Sequence, residues 1–385
     1  MTSLRRSAAV LGIGTSDWAT DYRLCREGKR PDDAYGYGAA AYSRALADCG
    51  LDPSMVDGLI CGPTLAYERT GEILGIDPRW GGQADAGMAM IQACMAIHSG
   101  LARVVALVYG TDQRSAAVQY GGPEATGGQN YLSYVYHAPW GLTSQGALYA
   151  LMFQRYCHLH GAPADCLGPV AVAQRANASR NPGAIMRREL TLEDYRAAAF
   201  VCEPLRLLDY CLVNDGGVCM ILADPSIALR GSKRPVYVEG VGRADLNHGA
   251  TSLEPRLLDF YLPAQKLASR QVYDMAQAGP EDMDCLQIYD SFSCHVLFAL
   301  EGFGYCAPGS GAAFIAQNSL RFDGVLPVNT GGGHLSESYM QGWNHQIEAI
   351  RQLRGEGMDR QVENCRRVQY ISDVAGKAVS IIYGA

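Results

Sequence analysis

Two stretches of this 385-residue chain run through the same order of glycine-rich turn, helix and apolar strand. An internal repeat of that kind narrows the fold more than any other feature, because each copy must bury its faces in the same way. In the first stretch Ala8–Ile13 reads as a buried strand, Asp32–Cys49 as a helix and Leu59–Cys61 as a short strand. Gly87–Gly100 follows as a second helix, with Met88, Ile91 and Met95 at helical spacing and Gly100 as its stop. Val104–Val108 is a continuous apolar run, as a strand covered on both faces requires. The second stretch begins at Pro235–Val238 and continues with a helix over 265–277, a strand over 285–289, a helix over 341–354 and strands Val368–Ile371 and Ala378–Tyr383. Strands alternating with helices predict α/β layers. The boundary falls within 224–234, giving units 1–228 and 229–385. Residues 115–200 break the rhythm: they are rich in Tyr, Gly and Ala, contain a long helical stretch near 145–160, and read as an inserted loop domain lining a pocket. Val218–Leu222 closes the first half.

Composition excludes several function classes. A net charge of −7 without a basic patch argues against a nucleic-acid partner. The 13 cysteines are scattered and form no C-x-x-C pair, so zinc ribbons and redox dithiols are not expected, and single cysteines in apolar runs read as buried hydrophobes in a reducing compartment. Gly12-Ile13-Gly14 follows a strand, but the third glycine of a dinucleotide fingerprint is replaced by Asp17. No Walker loop, H-E-x-x-H or EF-hand pattern occurs, and no metal is expected. The N-terminal residues lead straight into a strand-like run with no signal-peptide pattern, which predicts a cytoplasmic protein.

Chemistry concentrates in Val328–Glu356, VNTGGGHLSESYMQGWNHQIEAIRQLRGE, where a glycine loop meets an amphipathic helix with Tyr339 at the joint. Asn329, Gly332, Gly333 and Gln352-Leu353-Arg354-Gly355-Glu356 resemble the C-terminal catalytic loop of sterol-carrier-protein-type thiolases. Pro204–Asp209 followed by Val213–Gly217 is similar to that family's P-L-x-L-x-D and D-G stretch. Gly279–Asp284 leads into Tyr289-Asp290-Ser291-Phe292, where these thiolases carry H-D-C-F. The segments keep their order over nearly the whole chain. The resemblance implies the thiolase fold, an α/β architecture of two similar halves layered α-β-α-β-α.

A thiolase of this type uses a cysteine nucleophile and two histidines. Carried over by position, the cysteine becomes Ala84, and the histidines become Tyr289 and Tyr339. A methyl group cannot form an acyl-enzyme, and Cys94, mid-helix on an apolar stripe, reads as core. A phenol is donor and acceptor in one atom, so two of them suit proton transfer without a covalent intermediate. This pattern is similar to the thiolase-fold aldolases of bacterial steroid side-chain degradation. That resemblance implies retro-aldol cleavage of a β-hydroxyacyl-CoA with its hydroxyl on the steroid D ring, to a 17-ketosteroid and propionyl-CoA. Tyr289 is the expected acceptor of the hydroxyl proton and Tyr339 the enolate-side donor. Asp290, His295, His334 and His345 are the sequence-near groups that could activate a phenol, and backbone near Ala84 and Gly376 matches the oxyanion region. Coenzyme A enters as part of the substrate, its contacts unassigned, and no cofactor is expected in the chain. The resemblance further implies a homodimer and a small OB-fold, zinc-ribbon acyl-CoA-associated partner. Three other readings stay open at this level: a non-catalytic acyl-CoA-binding scaffold, a thiolase with another cysteine, and a Schiff-base aldolase using Lys377.

Overall fold

A computed structural model describes residues 3–118, 120, 140–142, 144–228, 233–246, 261–374 and 376–385. Its strands are β1 (Ala9–Thr15), β2 (Gly58–Cys61), β3 (Trp80–Gln83), β4 (Val104–Thr111), β5 (Phe200–Cys202), β6 (Leu205–Arg206), β7 (Gly216–Ala223), β8 (Val236–Asp245), β9 (Cys285–Ile288), β10 (Arg367–Val374) and β11 (Lys377–Gly384). All but the β5–β6 pair join one sheet in the order β3-β2-β4-β7-β1-β8-β11-β10-β9. The repeat is explicit in the ladders. β2–β4 is parallel and β4–β7 and β7–β1 are antiparallel in the first half. β9–β10 is parallel and β10–β11 and β11–β8 are antiparallel in the second. β1 pairs with both β7 and β8 and joins the two halves.

Period-2 alternation then builds the layers. Val105, Leu107 and Tyr109 of β4 enter one core, and Val104, Ala106 and Val108 enter another. Val379, Ile381 and Tyr383 of β11 enter that same first core, while Ala378 and Ile382 face a third. The shared core holds the helices Ala86–His98 and Trp343–Arg354, so these two form the central layer between the sheet halves. The helix Ala34–Cys49 covers the outer face of the first half, and Leu262–Ala276 and Cys294–Gly302 cover the second. This is the expected α-β-α-β-α arrangement.

One expected stripe is partly displaced. Ile91 and the alanines of the helix Ala86–His98 are buried as expected, with Met90, Cys94 and Ile97 beside them, but Met95 is 52% exposed. A helix apolar nearly all round offers no contrast from which to choose its face. The long helix of the inserted region is Gln145–His160, and a second, Gly168–Ser179, lies inside the same region. Residues 119, 121–139 and 143 of that region, and 229–232 at the expected boundary, lie outside the described residues.

Candidate active site

The site is assembled at the end of β9. The side chain of Asn329 holds the last strand residue on both sides: its Oδ1 accepts from the Ile288 amide at 2.6 Å and its Nδ2 donates to the Ile288 carbonyl at 2.8 Å. The next amide, Tyr289, donates to Ile371 of β10 at 2.8 Å. Tyr289 therefore leaves the sheet from a backbone with no slack. Tyr339 approaches from the glycine loop, its amide bonded to Asn214 Oδ1 at 2.8 Å, while Asn214 Nδ2 holds Ser338 at 2.9 Å. The two phenol oxygens meet at 3.0 Å, with the rings at 74°. Both tyrosines are partly exposed, whereas the groups behind them are fully buried.

Asp290 is the hub of that buried layer. Its Oδ1 accepts from His345 Nε2 at 2.8 Å and from the His334 amide at 2.8 Å, and its Oδ2 lies 3.4 Å from the Leu335 amide. His334 Nε2 lies 3.0 Å from the Gly342 amide and 3.1 Å from Asn344 Oδ1, and its Nδ1 is 3.5 Å from Asp290 Oδ1. The facing atoms of Asp290, His334 and His345 all lie within 4.8 Å of one another. Asp290 is bonded to the His345 ring and to the His334 amide, so the trio is a hydrogen-bonded cluster that braces the loop.

Two glycines make this closeness possible. Gly333 has φ +59°, and a Cβ there would lie 2.4 Å from Asp290 Oδ2. Gly342 has φ +87°, and a Cβ would lie 2.2 Å from the Tyr370 hydroxyl. Neither conformation nor space suits an L side chain.

The inserted region clamps the loop from outside. Asn177 donates to the Val328 carbonyl at 3.0 Å, Asn181 to the Gly331 carbonyl and to Glu337 at 2.9 Å each, and Arg175 to Ser336 at 2.9 Å. Within the loop's base, Arg360 makes a forked pair with Glu348 at 3.0 and 2.8 Å.

Burial pushes both active-site phenols above the ordinary tyrosine value, so both are protonated at neutral pH. Either oxygen can be the donor in the hydrogen bond they share. Burial drives His334 well below the ordinary histidine value and His295 down to about 3, so both rings are neutral. Burial also raises Asp290.

The other expected positions are placed as follows. Ala84 lies one residue before Asp85, which caps the helix Ala86–His98 through Met88 N at 2.8 Å. Gln346 of the second central helix donates to the Ala86 carbonyl at 3.0 Å, which ties this helix start to the helix that follows Tyr339. Gly376 sits in the β10–β11 turn with φ +92°, its carbonyl accepting from Leu246. Among the described residues its backbone is bonded to Leu246 and not to either tyrosine. Cys94 is fully buried in the central core. Cys211, which the sequence did not single out, lies beside the tyrosines and Asp290, and burial followed by that carboxylate pushes its thiol well above the ordinary range. Such a thiol is not a nucleophile at neutral pH. Asn177 and Asn181 could have been noticed as an i, i+4 pair of amides at the end of a helical run.

Comparison with known proteins places this geometry. Residues 207–384 match the family described as thiolase C-terminal domain-like. The chain is 32% identical over 384 residues to the 17-hydroxy-3-oxo-4-pregnene-20-carboxyl-CoA lyase of Mycobacterium tuberculosis, covering 92% of this chain and 94% of that one. It is also 32% identical to a steroid side-chain-cleaving aldolase of Thermomonospora curvata, covering 94% and 93%. Among solved structures, an Ltp2-ChsH2(DUF35) aldolase superposes with a TM-score of 0.87 at 29% identity, covering 99% of this chain and 98% of that one. The chain belongs to the thiolase superfamily, in the branch of the thiolase-fold steroid side-chain-cleaving aldolases, and is a carbon–carbon lyase.

Proposed function

We propose that the protein cleaves a 17-hydroxy steroid side-chain CoA thioester by retro-aldol chemistry, using Tyr289 and Tyr339 as a neutral proton relay. The observation that carries this reading is the 3.0 Å contact between two phenols that are both protonated and both partly exposed. A phenolate base is disfavoured in such a site, and a relay needs none. The substrate's β-hydroxyl gives its proton to Tyr289 Oη as Tyr289 passes its own to Tyr339 Oη. The Cα–Cβ bond breaks toward the thioester, the hydroxyl carbon becomes the ketone, and Tyr339 delivers its proton to the enolate carbon. One proton leaves oxygen, one arrives at carbon, and both phenols end as they began.

The names of the relatives support the substrate class, which gives a 17-ketosteroid and propionyl-CoA as products. The DUF35 partner of the superposed aldolase supports assembly with a small OB-fold, zinc-ribbon protein of that type. We propose a homodimer as well, since β3 has no strand on its outer side among the described residues. No helix among the described residues is long and apolar enough to cross a membrane, and a cytoplasmic site of action completes the proposal.

The test is to incubate the protein, with and without such a partner, with a steroid β-hydroxyacyl-CoA and to measure ketone and short acyl-CoA together. Stoichiometric release supports the reading. Undiminished release by both Tyr289→Phe and Tyr339→Phe removes the relay, and no release under any condition favours the acyl-CoA-binding scaffold.

A further inference from the structure

We infer that Gln113 is a positioning residue for Tyr339, acting through Asn214. The inference rests on the relay reading and deepens it, because it names what holds the phenol that must protonate carbon. The ladder between β4 and β7 ends at Thr111 and Gly216. Beyond it the two chains are joined by side chains instead. Gln113 Nε2 donates to the Asn214 carbonyl at 3.1 Å. The Arg114 guanidinium donates to the Val213 carbonyl at 3.2 Å, and Asp215 Oδ1 accepts from the Arg114 and Ser115 amides at 2.8 and 3.2 Å. Val213 and Asp215 are thus held by Arg114 and Ser115, while the Asn214 carbonyl is held by Gln113.

The orientation of each side-chain amide follows from the backbone group it meets. A carbonyl only accepts, so Gln113 must turn Nε2 toward Asn214, and its Oε1 then accepts from the Tyr120 hydroxyl. A backbone amide only donates, so Asn214 must turn Oδ1 toward Tyr339, at 2.8 Å. Its Nδ2 then faces Ser338 Oγ at 2.9 Å and the Asp215 carbonyl at 3.0 Å. The line Tyr120, Gln113, Asn214, Tyr339 therefore has one arrangement. Gln113, Asn214 and Ser338 are buried and Tyr120 is 51% exposed, so the line runs from the surface of the inserted region to the catalytic loop. Without the Gln113 amide the Asn214 carbonyl loses its donor, and a buried carbonyl left bare is costly. Gln113 and Val213 line one cleft, so a small shift of the segment toward it would let water replace the lost donor. That shift moves Asn214 Oδ1, and with it Tyr339, off the 3.0 Å contact with Tyr289.

The experiment compares the full chain with its Gln113→Leu variant, which keeps the bulk and removes both hydrogen bonds. Amide hydrogen exchange, read residue by residue, should speed up at Tyr339 by about tenfold or more. The His334 amide of the same loop, held by Asp290 at 2.8 Å, should keep its rate. An unchanged Tyr339 amide overturns the inference, as does equal acceleration at both, which would mean general loosening. In cleavage assays kcat should fall roughly tenfold to a hundredfold with KM within about twofold. In the Tyr339→Phe background Gln113→Leu should cost nothing further, and a loss undiminished there would show that Gln113 acts elsewhere. Tyr120→Phe, at an exposed residue, should move both readouts the same way by less. It carries the test if Gln113→Leu does not fold, and no change in either readout then overturns the inference. Exchange needs no substrate, so failure of the relay reading, seen as undiminished cleavage by Tyr289→Phe and Tyr339→Phe, remains distinct from failure of this one.

Discussion

If Tyr289 and Tyr339 are two stations on one proton path, deleting both should harm the enzyme no more than deleting either. The single variants Tyr289→Phe and Tyr339→Phe each remove one oxygen from a contact of 3.0 Å. Loss of a positioned acid–base group lowers rates by roughly 10²–10⁴, or about 3–5 kcal/mol of transition-state stabilisation. Were the phenols independent, the double variant would lose the sum, about 6–10 kcal/mol. A relay cut once is already cut, so the double variant should fall within about tenfold of the weaker single one, a coupling as large as one whole loss. Both tyrosines are partly exposed, so water can solvate the oxygen left behind and folding should be little affected. The assay is release of ketone from a steroid β-hydroxyacyl-CoA at saturating substrate, with circular dichroism confirming the fold. Losses that multiply in the double variant would refute the relay and leave two separate catalytic groups.

Three other outcomes test the surrounding structure. Gly333→Ala combines φ +59° with a Cβ 2.4 Å from Asp290 Oδ2, so it should cost about 3 kcal/mol or more in thermal unfolding and lose activity further as the loop shifts. Asp373 is fully buried and its carboxyl is raised to about 7, against an ordinary value of 3.8. A raised acid binds protons in the folded state, so its penalty is absent below the unfolded value, grows as pH rises through that value toward 7, and reaches about 4 kcal/mol above it. Asp373→Asn should therefore raise the unfolding midpoint at pH 8 more than at pH 5, and an equal effect at both would show that the carboxyl does not titrate there. Cys211→Ala should keep kcat within a few-fold, since its thiol is protonated at neutral pH. A collapse of activity that serine fails to restore would revive a cysteine mechanism.

How far the sequence could be read depended on whether a residue's task is local. The strands β1, β4, β7 and β11 were legible because unbroken apolar runs with flanking turns have few other folds open to them. The short strand β3, with two glycines in four residues, carries no such signal and was missed. The helix Cys294–Gly302 was missed for the opposite reason, since it is buried on every side and shows no period. In the site, Tyr289 and Tyr339 could be named from position within motifs, but their 3.0 Å contact depends on residues remote in sequence. Asn214 sets Tyr339 from 125 positions away and Asn329 sets the strand end before Tyr289 from 41. Each asparagine was visible as a motif letter, but its job was not.

The same contacts show which positions of the loop are fixed by packing and which are not. Gly333 must be glycine because Asp290 lies against it, Asp290 must be acidic because His345 and two amides donate toward it, and Asn329 must span both polar groups of Ile288. Altering any of these leaves a buried polar group unpaired, at about 1–3 kcal/mol each. Tyr289, Tyr339 and Ala84 bear no such load, for their side chains are not needed to satisfy that buried network. Such partly exposed positions can exchange one side chain for another at small cost to folding.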